Sequence, residues 1–282
     1  MQVFNHGAEW QKKWLQALKT DKTIGFVPTM GALHEGHLEL IRASKKSTDL
    51  TVVSIFVNPI QFNNQEDFDK YPVLTTQDLK LLQKENVDFV FLPNQEAIYP
   101  KKPIINLDFG YLERVLEGKF RPGHFSGVGI IVSKLFNIIR PDIAFFGQKD
   151  LQQVAVIKKV VGDLSFPLKV NIVATVREKD GLALSSRNMR LSTQERRKAL
   201  ILFNNLEFAK NELLSGKNWL AIRKQIMLAF EAEPLAKLDY FELVHPETFQ
   251  IYQEFDRSEK SFICVASFIG NVRLIDNLPI IP

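Results

Sequence analysis

A single cysteine, Cys264, stands among the 282 residues, so no internal disulfide can form. Its place inside an apolar, strand-like run predicts a buried thiol. Charge of one sign is also scarce: 36 Lys and Arg face 32 Asp and Glu, a net charge of +4. The lysine pairs Lys12-Lys13, Lys45-Lys46, Lys101-Lys102 and Lys158-Lys159 are scattered, and the densest run, Arg196-Arg197-Lys198, falls on a predicted helix as a solvated face. Such a balance suits small anionic substrates and gives no concentrated nucleic-acid footprint. An RNA-binding module would also need stacking aromatics clustered beside basic residues, and none are found. No apolar run approaches the ~20 residues of a spanning helix. The opening Met-Gln-Val-Phe-Asn-His lacks the basic-then-apolar layout of a signal peptide. Internal repeats and low-complexity tracts are missing too. These absences predict a cytoplasmic protein that binds neither membrane nor nucleic acid.

Hydrophobic residues make up 45% of the chain, ample for a buried core, and the length predicts about two domains of ~150 residues. An opening helix over Trp10 to Lys19 precedes a strand at Ile24 to Val27, which Pro28 is expected to break. A helix starting after Gly36 and a strand at Leu50 to Val57 complete one βαβ unit. A helix over Thr76 to Glu85, a strand at Val87 to Leu92 and a largely apolar helix through Ile139 follow, the last led in by the glycine-rich loop Arg121 to Gly127. A fourth strand (Asp142 to Phe146), a helix (Leu151 to Val161) and a fifth strand (Lys169 to Val176) close this part. Alternation of this kind predicts an α/β fold, a Rossmann-like parallel sheet with helices on both faces, over residues 1–176.

The character changes at Arg177 to Arg190, polar and rich in small residues, a natural hinge. Residues 177–282 are expected to form a smaller C-terminal α+β domain acting as a lid. Ser192-Thr-Gln-Glu195 is a capping box for a long helix, a second helix covers Trp219 to Glu231, and three strand-like runs finish the chain. Gly270-Asn271 is the two-residue hairpin signal joining the last two.

The richest stretch is Pro28-Thr-Met-Gly-Ala-Leu-His-Glu-Gly-His37. It carries His34 and His37 to a predicted helix N terminus, where free N–H groups and the helix dipole favour anions, phosphate above all. A cationic imidazole is disfavoured there, so neutral ring nitrogens can donate to phosphate oxygens. An isolated His-x-x-His is common; its placement at a strand-to-helix turn is what gives it weight. Three further segments are polar where a core would be apolar: Asn58 to Gln61, Gly147 to Gln153, and Leu184-Ser-Ser-Arg-Asn188. Each alone reads as a turn, a solvated charge or a flexible link. Together they suit a crevice beyond the carboxyl ends of parallel strands.

The histidine stretch resembles the HIGH-type signature of the nucleotidylyltransferase superfamily. Adding Ser54-Ile-Phe-Val-Asn-Pro-Ile-Gln-Phe62, Arg121-Pro-Gly-His-Phe-Ser-Gly-Val128, Phe146-Gly-Gln-Lys-Asp-Leu-Gln-Gln153, Asp180-Gly-Leu-Ala-Leu-Ser-Ser-Arg-Asn188 and Arg273-Leu-Ile-Asp-Asn277, nearly the whole chain resembles the pantoate–β-alanine ligases. That resemblance implies a homodimer using ATP with Mg²⁺, pantoate and β-alanine, through a pantoyl adenylate. It implies that Met30, Gly31, Ala32, Leu33, His34, Glu35, Gly36 and His37 line the ATP site, with His37 as proton donor and His34 beside it on the triphosphate. Gly147, Gln148, Lys149 and Asp150 would bind the nucleotide, with Lys149 on phosphate. Val176 would touch adenine, and Leu184, Ser185, Ser186 and Arg187 would cover the phosphates. Gln61 and Gln153 would hold pantoate, Asn58 beside them, and Gln61 would also serve β-alanine. No protein ligand for Mg²⁺ is indicated. Two positions depart from the family pattern: Val73, where arginine is usual, and Ala174, where proline is frequent. The rival reading is another adenylyl or cytidylyl transferase sharing the histidine loop, which leaves Gln61, Gln153 and the serine-rich segment without a shared role.

Overall fold

The computed structural model describes residues 1–280. The chain opens with β1 (Gln2–Phe4), α1 (Gly7–Lys19), β2 (Ile24–Thr29), α2 (Glu35–Ser47) and β3 (Leu50–Ile55). A 3₁₀ turn at Pro59–Gln61 leads to α3 (Gln65–Asp69), α4 (Thr75–Lys84), β4 (Phe89–Phe91), α5 (Gln95–Ile98), α6 (Leu116–Phe120) and α7 (His124–Ile139). Next come β5 (Ile143–Gly147), α8 (Leu151–Asp163) and β6 (Lys169–Val173). The remainder is α9 (Thr193–Lys198), α10 (Leu200–Leu214), α11 (Trp219–Glu231), β7 (Ala236–Val244), β8 (Phe262–Ile269) and β9 (Val272–Pro279). The first six strands form one parallel sheet in the order β1-β4-β3-β2-β5-β6, and β7-β8-β9 form an antiparallel one. The chain divides into two compact units. One holds Met1–Gly147 and Val156–Ala174, the other Gln148–Ala155 and the chain from Thr175 on.

In the first unit both sheet faces are covered, as a parallel sheet requires. Side chains alternate along each strand, so Val27 and Phe145 face one way and Phe26 and Phe146 the other. Val27, Val53, Ile55 and Phe145 pack with Leu38 and Ile41 of α2 and Leu82 of α4. On the opposite face Phe136 of α7 meets Phe26 and Phe146 edge-on, each at 6.5 Å between ring centres. The α1 helix joins α7 through Trp10, whose indole N–H donates to Ile139 O at 2.9 Å. Strand β1, three residues at the sheet edge, was not visible in the sequence pattern; it is held by Phe4 stacking on Trp10 and Phe91.

Pro28 does not break its strand. It stays in β2, paired in register with Ser54 of β3. What stops is the ladder on the other side: β2 and β5 pair only at Gly25↔Ile143 and Phe26↔Ala144. Beyond that, β2 keeps to β3 through Thr29↔Ile55 while β5 keeps to β6 through Gly147↔Val173. A proline has no N–H to give a ladder, so it is tolerated where the two strands part. The carboxyl ends of β2 and β5 therefore splay, and the sheet's connections run outward in opposite directions from that point. That is the switch point where parallel α/β sheets hold ligands.

The second unit is built on a different plan. Helix α10 buries Leu202, Leu206, Ala209 and Leu213, and α11 buries Ile222, Ile226 and Phe230, against Phe241, Leu243, Ile263 and Val265 of the antiparallel sheet. The expected long helix is two helices meeting at Ala199, and the expected capping box is present: Ser192 Oγ accepts from Glu195 N while Glu195 takes Ser192 N–H at 2.8 Å. Cys264 is buried in β8.

Candidate active site

The first unit gathers two polar groups at the splayed edge. From the end of β2 the chain turns through Gly31 and Ala32, both in the left-handed region at φ 81° and 49°. Glycine fits there without cost; alanine does not. The turn is held from outside. Asp78 of α4, 1% exposed, accepts Ala32 N–H at 2.9 Å and Leu33 N–H at 2.8 Å, one on each carboxylate oxygen. Thr29 Oγ1 accepts Gly31 N–H at 3.2 Å while donating to Ser54 O. Asp78 was missed in the sequence, where it reads as an ordinary polar helix residue. The only signal available was an acidic residue in the first turn of a helix whose neighbour Leu82 is core.

This turn delivers His34 as the N-cap of α2 and His37 to its first turn, the rings 4.1 Å apart and both half-buried. His34 N–H donates to His37 Nδ1 at 3.3 Å. With Nδ1 accepting, a neutral His37 carries its proton on Nε2, which makes it a donor at a helix end that favours anions. Glu35 is turned away: its carboxylate pairs with Arg42, which also takes Glu39 and Glu85. Only its backbone belongs with the loop.

Asn58 and Gln61 form the second group. Asn58 is 1% exposed, with Nδ2 donating to Gln61 Oε1 at 3.0 Å and to Gly127 O at 3.3 Å. Its Oδ1 accepts from the Tyr99 hydroxyl at 2.8 Å. Burial pushes the Tyr99 phenol above its ordinary value, which keeps it a donor. With Oε1 engaged, the Gln61 amide is oriented, and Nε2 reaches Met30 Sδ at 3.0 Å. The histidine loop and this group thus meet. His124 Nδ1 lies 2.8 Å from Gln61 O. The expected loop at Arg121 to Gly127 is mostly helix, since α7 starts at His124. Gly127 is needed because a Cβ there would stand 2.4 Å from Ile60 O, so α7 can lie directly against the Pro59–Gln61 turn.

Among the other predicted residues, Gly147 ends β5. In the second unit, Gln148–Asp150 is a single 3₁₀ turn leading into α8, with Lys149 half-buried 3.8 Å from the Asp150 carboxylate. Gln153 sits half-buried on α8. The segment after Val176 is an ordered hairpin: Leu184 N–H donates to Val176 O at 3.0 Å and Arg177 bridges Ala183. It runs into a 3₁₀ turn, Ser186–Arg190, capped by Ser185 Oγ accepting Arg187 N–H at 3.3 Å, with Ser186 buried. The Arg273-to-Asn277 stretch of β9 backs these segments. Asp276 holds Arg177 through two hydrogen bonds of 2.6 and 2.9 Å. Burial holds the Asp276 carboxyl above its ordinary value, and Arg177 offsets only part of that rise. Val73 and Ala174 are both exposed.

Parallel sheet, parted strands and a histidine-bearing helix end define an α/β protein, followed in the chain by a small antiparallel unit. The family model described as pantoate-beta-alanine ligase matches residues 2–279. The pantothenate synthetase of Thermoanaerobacter sp. (strain X514) is 52% identical over 258 residues, covering 91% of this chain and 90% of its own. That of Cytophaga hutchinsonii is 43% identical over 274 residues, 93% of each chain. The crystal structure of pantothenate synthetase from Thermus thermophilus superposes with a TM-score of 0.91 at 39% identity, over 100% of both chains. A pantoate-beta-alanine ligase from Francisella tularensis, complexed with beta-gamma ATP and beta-alanine, gives 0.81 at 35%, over 99% of this chain and 98% of its own. The chain belongs to the pantoate-beta-alanine ligase family and is a ligase joining pantoate to β-alanine. A different adenylyl or cytidylyl transferase finds no support in these likenesses.

Proposed function

We propose that the reaction runs on ATP in two steps. A pantoate carboxylate oxygen attacks the α-phosphorus and pyrophosphate leaves, giving pantoyl adenylate; the β-alanine amine then attacks the acyl carbon and AMP leaves. Phosphoryl-type transfer needs positioning and charge neutralisation more than a nucleophilic side chain, and the residue types fit that need. Gln61 and Gln153 hold pantoate, since an amide both donates to a carboxylate and accepts from a hydroxyl; Asn58 sets the Gln61 amide, which also serves β-alanine. Met30 to His37 line the triphosphate, with His34 and His37 as donors. Gly147 to Asp150 bind the nucleotide, Lys149 supplying charge as pyrophosphate departs. Val176 meets adenine, and Leu184 to Arg187 cover the phosphates from the second domain, residues 177–282, acting as a lid on the first, 1–176.

The observation that carries this reading is the bond from Gln61 Nε2 to Met30 Sδ, which ties an oriented amide to the loop that bears the two histidines. The ATP and β-alanine in the Francisella tularensis relative support it. Mg²⁺ fits as a companion of the phosphates. Among the described residues no three His, Cys, Asp or Glu cluster to hold a metal, and Mg²⁺ on nucleotides is bound chiefly by phosphate oxygens, with few carboxylates. It would neutralise charge on the leaving pyrophosphate. The resemblance also supports a homodimer and a cytoplasmic setting.

The test is product analysis with ATP, Mg²⁺, pantoate and β-alanine. AMP and pyrophosphate are expected, with pyrophosphate released from ATP and pantoate even before β-alanine is added. ADP and phosphate as products would overturn the adenylate route.

A further inference from the structure

Lys149 sits on a turn of three residues, too short to fix its own geometry. That turn is held by one side chain from the far end of the chain. Asn277 of β9 is 2% exposed, and its Nδ2 donates to Gln148 O at 3.0 Å and to Lys149 O at 2.8 Å. Its Oδ1 accepts from Gln148 Nε2 at 3.3 Å. A primary amide has two N–H donors and one carbonyl, and all are engaged on this turn. The two carbonyls belong to the peptide units before and after Lys149, so anchoring both fixes the φ and ψ from which the ammonium projects.

Asn277 is itself held. Its own carbonyl accepts from Arg177 Nη2 at 3.1 Å, and that guanidinium is gripped by Asp276 and lies 4.5 Å above the Phe203 ring. Neither carboxylate nor alkyl could replace the amide: one would face two carbonyl oxygens with no proton, the other would leave them without partners. Resting on the ATP-dependent reading above, we propose that Asn277 is a positioning residue for the adenylation step, acting through Lys149.

A double-mutant cycle tests this. Wild type, Asn277→Ala, Lys149→Ala and the double variant are compared for pyrophosphate release from ATP and pantoate, beside thermal melting of each full-length protein. Asn277→Ala should lower kcat about tenfold, a coupling typical of residues in one hydrogen-bond network, with KM for pantoate unchanged. In the Lys149→Ala background the same substitution should change the rate less than about twofold, since the group it positions is gone. If Asn277→Ala does not fold, the isosteric Asn277→Asp takes its place, with the same expectation. A loss equal in both backgrounds would mean a general structural role and overturn the inference while leaving the ATP reading intact. Wild-type adenylation by Lys149→Ala would overturn the inference together with the role given to Lys149, whereas no pyrophosphate release by the wild type would overturn the ATP reading itself.

Discussion

In the first unit, the histidine loop is shaped by the chain that lies close to it in sequence, with Asp78 bracing it from 45 and 46 residues away. It leaves β2 after Thr29, passes two left-handed residues and enters α2, and the hydrogen bonds from Gly31 N–H to Thr29 and from His34 N–H to His37 span three residues or fewer. The lysine turn also lies between a strand, β5, and a helix, α8, but its carbonyls are held by Asn277, 128 and 129 residues away. The hairpin that leads into the serine turn is likewise held by Arg177, which Asp276 fixes across 99 residues. A site can be shaped by the geometry of a strand-to-helix turn, or by side chains reaching in from a distant strand. The first kind tolerates change elsewhere in the chain; the second ties its geometry to the folding of a whole sheet.

The largest effect should come from the locally held group. Removing one preorganised donor from developing charge costs about 10²–10³ in rate, so His37→Ala should lose most adenylation. Isolated pantoyl adenylate given to the same variant with β-alanine should react at close to the wild-type rate, because pyrophosphate has already left. Equal loss in both steps by a folded variant would place His37 in acyl transfer as well.

Next in size are the glutamines, one on each unit. Gln61→Leu and Gln153→Leu keep bulk but strand polar groups of pantoate. An unsatisfied buried group costs ~1–3 kcal/mol, about ten- to a hundredfold in pantoate use, with ATP binding little changed. Calorimetry showing unchanged pantoate affinity in either variant would remove that residue from the pantoate site. A smaller loss in Gln61→Leu than in Gln153→Leu would show that Asn58 and Tyr99 keep the first pocket's shape without it.

These two regions also differ in how far they could be read from the chain. Strand, histidine turn and helix follow from period and capping, because the forces that make them act between near neighbours. Pro28 misled because a proline's effect depends on which neighbouring strand needs its N–H, and that is a property of the sheet. The short β1 lacked a period to detect. Asp78, Asn277 and Asp276 act across a fold, and nothing in their local sequence says what they will meet. Gln61 and Asn58 were nameable by resemblance, but the Tyr99 hydroxyl that orients them, 41 residues from Asn58, was not.

Asp78 offers the finest test of the contrast, since it is a distant side chain that holds two backbone N–H groups of the histidine loop. Asp78→Asn keeps the shape and one acceptor, but turns an NH₂ toward a backbone N–H that the carboxylate had accepted. One buried donor then lacks a partner, at ~1–3 kcal/mol of stability. Left-handed Ala32 and its neighbour Leu33 then share one of the two bonds that Asp78 gave them. Because the histidines remain joined to each other and to α2, the rate effect should be smaller than for the groups that touch substrate: a severalfold rise in KM for ATP with kcat nearly kept. Thermal melting and ATP kinetics on the same sample separate the two consequences. A lower melting temperature with unchanged ATP kinetics would show that local geometry alone shapes the loop. A collapse of kcat to the level of His37→Ala would show that the first unit depends on remote support as fully as the second, and the contrast between them would be gone.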